Sequence, residues 1–175
     1  MRRFILTGAP GAGKTTLIQA LAARGHAVVE EAATEVNAIM IAGGVAHPSA
    51  EPDFIERIVA MQRARRLTPS ARLQFHDRSP ICTLALCRFL LLPEPPSLAA
   101  ELAEIEREGF YERRVLFVDH LGFMTPTPVR RISFEDSLRF EAVHEAVYQE
   151  LGYELVRIPR APLGERVEMI ERLAG

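Results

Sequence analysis

The fold of this chain is decided by the stretch Gly8-Ala9-Pro10-Gly11-Ala12-Gly13-Lys14-Thr15. It matches the pattern Gly-x-x-x-x-Gly-Lys-Ser/Thr, in which glycines let backbone N–H groups surround phosphate oxygens. In that pattern the lysine reaches the β- and γ-phosphates, and the final hydroxyl binds Mg²⁺. Lys14 is the only lysine of the chain, which otherwise carries twenty arginines. The pattern predicts a site for ATP and Mg²⁺ formed by Gly8, Ala9, Pro10, Gly11, Ala12, Gly13, Lys14, Thr15 and Thr16.

The residues on either side of this loop have the character that a phosphate site needs. Residues 3–7, Arg-Phe-Ile-Leu-Thr, form a short apolar run typical of a buried strand. Residues 16–23 place Leu17, Ala20 and Leu21 on one side of a predicted helix. Because the loop lies between a strand and a helix, the positive end of the helix dipole faces the anion.

Length and composition limit the class of protein. The 175 residues suit one domain, residues 1–175, and the net charge of −2 argues against nucleic acid as an obligatory partner. Arg63, Arg65 and Arg66 form a local basic cluster that we expect on the solvated face of a helix. The apolar stretch 82–92 is interrupted by Arg88 and is too short to span a bilayer. Two cysteines and no recognisable signal peptide predict reduced thiols in the cytoplasm.

Strands and helices are predicted to alternate along the whole chain. We expect strands at 3–7, 26–29, 72–76, 114–119 and 153–158. We expect helices at 16–23, 32–41, 53–67, 79–92, 97–108, 133–151 and 163–173, with Ser79, Ser97 and Ser133 as caps. This order predicts an α/β fold with three layers, in which a mostly parallel five-stranded sheet has helices on both faces. Residues 122–134 contain two Thr-Pro dipeptides, and we expect them to form a mobile lid loop.

Ligands of open parallel sheets bind beyond the carboxyl ends of the strands, so the polar residues at these ends are candidates for the chemistry. Asp77 ends the predicted third strand and could hold Mg²⁺ together with Thr15; alternatively it begins a surface turn. Arg78 follows, where a guanidinium could bind the reacting phosphate, or could instead pair with a surface carboxylate.

The second strand ends in two adjacent carboxylates, Glu30 and Glu31. Either could accept the proton of an attacking hydroxyl, and we prefer Glu31. An acidic pair at the start of a helix also complements the helix dipole without any catalytic role. In the predicted lid, Arg130 and Arg131 could stabilise the charge that develops during phosphoryl transfer, with Arg131 as the catalytic one, or could be exposed charges.

The chain resembles a family of small P-loop proteins known as AAA domain proteins, which includes the ribosylnicotinamide kinase domain of bacterial NAD regulators. The segments that carry this resemblance are Gly8 to Thr15, Glu30-Glu31-Ala32-Ala33, Asp77-Arg78-Ser79-Pro80, the arginine-bearing loop and residues 151–159. Asp77-Arg78-Ser79 is also similar to the Asp/Glu-Arg-Ser motif of deoxynucleoside kinases.

The resemblance implies a nucleotide-kinase type of fold and a role for each matching residue. In those kinases the acidic residue of the motif assists Mg²⁺, the arginine contacts the reacting phosphate, and a glutamate after the second strand is the base. These roles fall on Asp77, on Arg78 and on Glu30 or Glu31. The loop after the fifth strand, with Arg160 and Pro162, is implied to lie near the adenine.

Two functions follow from these residues. The first is an ATP-dependent kinase that phosphorylates a small-molecule hydroxyl on a nucleoside or a ribosyl compound. The second is a regulatory ATPase that acts as a nucleotide-binding switch through a protein partner. Asp119-x-x-Gly122 after the fourth strand resembles a GTPase switch element. Guanine recognition by Asn-Lys-x-Asp is excluded, because the chain has no second lysine.

Overall fold

The structure is a computed structural model, and it describes residues 1–68, 71–120 and 133–175. The strands are β1 (Arg2–Thr7), β2 (Ala27–Val29), β3 (Leu73–Asp77), β4 (Arg114–Val118) and β5 (Glu154–Ile158). The helices are α1 (Lys14–Ala23), α2 (Ala32–Ala42), α3 (Phe54–Leu67), α4 (Pro80–Leu90), α5 (Pro96–Glu108), α6 (Phe134–Glu150) and α7 (Leu163–Ala174). A 3₁₀ turn, Pro48–Ala50, precedes α3.

The five strands form one sheet in the order β2-β3-β1-β4-β5, and every pairing between them is parallel. The predicted α/β fold is therefore confirmed, with a sheet that is wholly parallel among the described strands. Leu6 of β1 lies opposite both Asp77 of β3 and Leu116 of β4. Since the strands run in one direction, the loop after β1 and the carboxylate that ends β3 lie at the same edge of the sheet.

Helices cover both faces of the sheet, as predicted. Side chains alternate along β1, so that Phe4 and Leu6 pack on one face and Ile5 packs on the other. Buried residues of α1 and α7, including Leu21 and Ile170, pack with the first pair. Buried residues of α2 to α6 pack on the other face.

The structure confirms one predicted helix cap and corrects another. Ser133 caps α6 as predicted, because its hydroxyl accepts a hydrogen bond from the backbone N–H of Asp136 at 3.0 Å. Ser97 does not cap α5: the cap residue is Pro95, and Ser97 lies within the first turn of the helix. Proline suits this first turn because its φ is already helical.

The structure also corrects the prediction that the basic cluster on α3 lies on a solvated face. Arg66 is buried, and its guanidinium pairs with Glu101 at 2.7 Å, with Glu104 at 2.6 Å and with Glu108 at 2.9 Å on α5. The expectation of a solvated face was wrong for this residue, because α5 supplies three carboxylates opposite it.

Most of the predicted lid, residues 122–134, lies outside the described residues, and so do Gly122, Arg130 and Arg131. Among residues 1–68, 71–120 and 133–175, no helix is both long enough and apolar enough to cross a membrane.

Candidate active site

The loop between β1 and α1, residues 8–13, relies on glycine where the backbone has a positive φ. Gly8, Gly11 and Gly13 have φ values of 129°, 86° and 87°. Gly13 caps α1, which begins at Lys14 rather than at the predicted Thr16. The helix N-terminus, with its free N–H groups, therefore lies directly against the loop, as anion binding requires.

Lys14 is folded back over this loop. Its side chain is buried, and Nζ donates hydrogen bonds to the carbonyl oxygens of Ala9 at 2.8 Å and of Gly8 at 3.1 Å. Burial and the nearby Arg78 guanidinium lower the pKa of Lys14 to about 8. An anion in the loop would offset both effects, so the ammonium is placed to gain from a bound phosphate.

Asp77 lies beside the start of α1. Its Oδ2 accepts a long hydrogen bond of 3.5 Å from the hydroxyl of Thr15. Its Oδ1 is buried and has no hydrogen-bond partner among the described residues. Burial and the negative charge of Glu31 raise the pKa of Asp77 to about 6. A buried carboxylate oxygen without a partner, next to a hydroxyl, suits a hard cation such as Mg²⁺, which would also favour the ionised form.

Arg78 has an unusual backbone and two side-chain partners. Its φ is 71°, and its backbone N–H donates to the carbonyl oxygen of Leu6 at 3.0 Å. Its Nε lies 2.5 Å from Oε1 of Glu31, and one of its terminal nitrogens lies 2.9 Å from Nε2 of His144. The guanidinium therefore connects the start of α2 with α6, and the carboxylate that it pairs with is the partly exposed Glu31.

The structure distinguishes the two adjacent glutamates by their surroundings. Glu31 caps α2; its Oε2 accepts a hydrogen bond from the Thr34 hydroxyl at 2.6 Å. Burial alone would raise the pKa of Glu31, but Arg78 and Lys14 hold it below its ordinary value. Glu30 is exposed, and its backbone carbonyl accepts a hydrogen bond from Arg65 at 2.7 Å. Only Glu31 joins the cluster formed with Lys14, Asp77 and Arg78.

A narrow cavity lies beside this cluster, between the end of β2, the start of α4 and helix α3. It has room for about one water molecule. Gln62, Asp77, Arg78 and Tyr111 are among the residues that line it.

The loop after β5 lies farther along the same edge of the sheet. Arg160 donates from Nε to the backbone carbonyl of His120 at 2.7 Å, so it lies beside the end of β4. Its predicted role near the adenine remains a prediction. Asp119 pairs with Arg157 at 3.1 Å, so this carboxylate already has a cationic partner on β5.

Sequence reasoning missed two residues of this region, His144 and Arg166. His144 lies on the buried face of α6, and a polar residue among the apolar positions of that helix was the available signal. Arg166, near the start of α7, is buried, and both of its terminal nitrogens donate to the carbonyl oxygen of Ala12 at 3.3 Å. No local signal in the sequence links Arg166 with the loop.

Comparison with protein families identifies the chain. A family model described as AAA domain matches residues 3–166. The chain belongs to the AAA domain family. No curated protein matches this AAA domain.

Solved structures similar to this AAA domain have the fold of P-loop kinases. NadR in complex with NR gives a TM-score of 0.73 at 18% identity, over 99% of this chain and 52% of that chain. Deoxyadenosine kinase from M. mycoides gives 0.59 at 13% identity, over 98% and 97% of the two chains. Shikimate kinase from Acinetobacter baumannii gives 0.59 at 14% identity, over 99% and 92%. The AAA domain thus spans about half the length of the NadR chain, and these likenesses confirm the predicted fold.

Proposed function

We propose that this protein is a phosphotransferase that moves the γ-phosphoryl group of ATP to a hydroxyl of a small molecule, a nucleoside or a ribosyl compound. The observation that carries the proposal is the position of Glu31. Its carboxylate pairs with Arg78 at 2.5 Å and lies close enough to Lys14 for the two charges to interact. A phosphate loop that only binds nucleotide does not need a second carboxylate beside the one that suits Mg²⁺.

The residues of the loop and of the strand ends have distinct roles in this proposal. The backbone N–H groups of residues 8–13, Lys14 and Thr16 bind the phosphates. Thr15 and Asp77 would hold Mg²⁺, which would supply positive charge to the phosphates. Arg78 neutralises charge on the phosphoryl group in transit. Arg130 and Arg131 are assigned to the same task from the lid, and Arg160 to the adenine side.

The reaction exchanges one P–O bond for another. The acceptor oxygen forms a bond to the γ-phosphorus, and the bond from that phosphorus to the bridging oxygen of ADP breaks. The acceptor proton passes to Glu31, which Arg78 keeps ionised. The Glu31 carboxylate is a weak base, so its main contribution is to orient the hydroxyl.

Two observations support a nucleoside or ribosyl acceptor. The narrow cavity at the end of β2 is lined by Glu30, Asp77 and Arg78, so an acceptor that entered it would lie beside Asp77 and Arg78. The similar solved structures include NadR in complex with NR and a deoxyadenosine kinase with dCMP. In the described conformation this cavity is small, so an acceptor has to widen it on binding.

That small cavity also favours a second candidate function. Because it has room for about one water molecule, water itself could be the acceptor, and the protein would then be a slow regulatory ATPase that acts through a protein partner.

One experiment separates the two functions. The protein is incubated with labelled ATP, Mg²⁺ and a panel of nucleosides, ribosyl compounds and other small hydroxyl compounds. We expect label in one acceptor, and we expect Lys14→Ala to abolish the transfer. Label only in inorganic phosphate would favour the regulatory ATPase. Full activity of Lys14→Ala would contradict both functions.

A further inference from the structure

His144 has no role in the reaction as proposed, yet it contacts the arginine at its centre. The imidazole is fully buried on α6. Its Nδ1 lies 2.9 Å from the backbone carbonyl oxygen of Phe140, and its Nε2 lies 2.9 Å from a terminal nitrogen of Arg78. Each ring nitrogen therefore has one partner of defined chemistry.

These two partners determine the protonation of the ring. A carbonyl oxygen can only accept, so Nδ1 carries the hydrogen and donates it to Phe140. A guanidinium can only donate, so Nε2 offers its lone pair to Arg78. Burial and the positive charge of Arg78 also lower the pKa of His144 well below its usual value. His144 is thus a neutral acceptor, fixed in one tautomer.

The opposite side of the same guanidinium is held by Glu31. Oε1 of Glu31 lies 2.5 Å from Nε of Arg78. The backbone of Arg78 has a φ of 71°, which few non-glycine residues adopt. An unfavourable backbone conformation persists where surrounding contacts fix it, and here the contacts come from β1, α2 and α6.

We propose that His144 is a positioning residue, whose neutral Nε2 orients the Arg78 guanidinium toward Glu31 and toward the transferring phosphoryl group. The second half of this inference rests on the proposed function. Without the acceptor on α6, Arg78 would keep its charge but could turn away from Glu31. A displacement of a catalytic group by about 1 Å can cost about 100-fold in rate.

A purely structural role of His144 makes a different prediction. The ring packs against Phe140 with 4.2 Å between the ring centroids. If only packing matters, every substitution that alters the ring harms stability, and catalysis follows stability. If Arg78 needs the acceptor, catalysis follows the presence of an acceptor atom at the position of Nε2.

Two amide substitutions separate these roles. In His144→Gln the side-chain oxygen can reach the position of Nε2 and accept from Arg78. In His144→Asn the side chain is one methylene shorter, so it keeps a polar group near Phe140 but does not reach Arg78. Both variants carry a side-chain amide and lack the aromatic ring. They differ in whether the amide contacts Arg78.

The first measurement needs no catalysis. The carboxyl carbon of Glu31 is followed by ¹³C NMR in a pH titration of the wild type and of both variants. Loss of a fixed opposite charge removes a cause that lowers this pKa, so we expect the pKa of Glu31 to rise in His144→Asn. We expect it to stay at the wild-type value in His144→Gln.

The second measurement is steady-state phosphoryl transfer, with thermal stability measured on the same samples. We expect kcat to fall about 10-fold or more in His144→Asn, with KM for ATP unchanged, and to stay within about 3-fold of wild type in His144→Gln. Equal losses of kcat in the two variants, or an unchanged Glu31 pKa in His144→Asn, would overturn the inference. If the wild type transfers phosphate to nothing, the proposed function fails, while the Glu31 titration still decides whether His144 positions Arg78.

Discussion

Gly8 lies against the backbone of Val118. A Cβ atom added to Gly8 would lie 2.3 Å from the carbonyl oxygen of Val118. The phosphate loop therefore leaves β1 so close to β4 that only a residue without a side chain fits. The contact fixes the start of the loop relative to the sheet. Because the contacting atoms of Val118 belong to the main chain, they cannot rotate away as a side chain could.

Gly8→Ala is expected to destabilise the protein and to weaken nucleotide binding. The clash and the φ of 129° together should cost roughly 3 kcal/mol or more of unfolding free energy. Gly25→Ala is the matched control, because Gly25 has a φ of 89° but no atom within 4 Å of the added Cβ. We expect about 1 kcal/mol there and unchanged ATP affinity. Urea denaturation measures the unfolding free energy, and calorimetry with Mg-ATP measures the affinity. Equal effects of the two substitutions would contradict the importance of the Val118 contact.

A comparison of two truncations should show whether the backbone of Arg78 is strained. Arg78→Gly and Arg78→Ala both remove the guanidinium and leave Glu31 without this partner, so both should lose phosphoryl transfer. They differ at the φ of 71°, which glycine adopts freely. We expect Arg78→Gly to be more stable than Arg78→Ala by about 1 kcal/mol. Thermal unfolding of the ligand-free variants tests this, and a less stable glycine variant would show that the backbone is not strained.

We predict that the negative charge of Asp77 lowers the stability of the ligand-free protein. Burial and the charge of Glu31 raise its pKa from 3.8 to about 6, so above this pH the folded state holds an unfavourable charge. We expect Asp77→Asn to stabilise the ligand-free protein by about 3 kcal/mol near pH 8. The gain should shrink as the pH falls from about 6 and vanish below 3.8, where the carboxyl is neutral in both states. The same variant should lose Mg²⁺-dependent phosphoryl transfer.

Denaturation across this pH range measures the effect. Asp53→Asn is the control, because Asp53, directly before α3, is exposed and pairs with Arg57 of that helix. A gain in stability for Asp77→Asn that is constant with pH would show that the charge of Asp77 is not its cause.

Local patterns were enough to predict the main parts of the fold. The glycines of the loop, the apolar run before it and the helix after it are adjacent in the sequence, so their order gives strand, loop and helix directly. Asp77 and Arg78 were identified in the same way, because the carboxyl ends of parallel strands must meet at one edge. Ser133 was also predictable, since its cap bond reaches only to Asp136.

The features that the sequence left open depend on contacts between distant residues. Glu30 and Glu31 have the same side chain, and only the packing of Arg65 and Arg78 distinguishes them. His144 meets Arg78 across a separation of 66 residues, and no short motif records such a pair. The buried state of Arg66 likewise depends on α5, whose carboxylates lie far along the chain.

Arg166 provides a test of such a distant contact. Its two terminal nitrogens donate to Ala12 from α7, and its Nε is buried without a hydrogen-bond partner among the described residues. Hydrogen bonds from a charged group contribute about 1.5 kcal/mol or more, so Arg166→Met should release the loop and weaken Mg-AMP-PNP binding about 10-fold. Stability should change little, because the substitution also removes a buried charge that lacks a full set of partners.

Calorimetric titration and thermal unfolding of the same samples distinguish these two effects. Arg172→Met is the control on the same helix, since Arg172 is exposed and its partner Glu168 lies 3.9 Å away. We expect wild-type nucleotide affinity in that variant. If Arg166→Met binds Mg-AMP-PNP as tightly as the wild type, the prediction is contradicted. The carbonyl of Ala12 would then need no donor to keep the neighbouring N–H groups directed at the phosphates, and α1 and the glycines would hold the loop without help from α7.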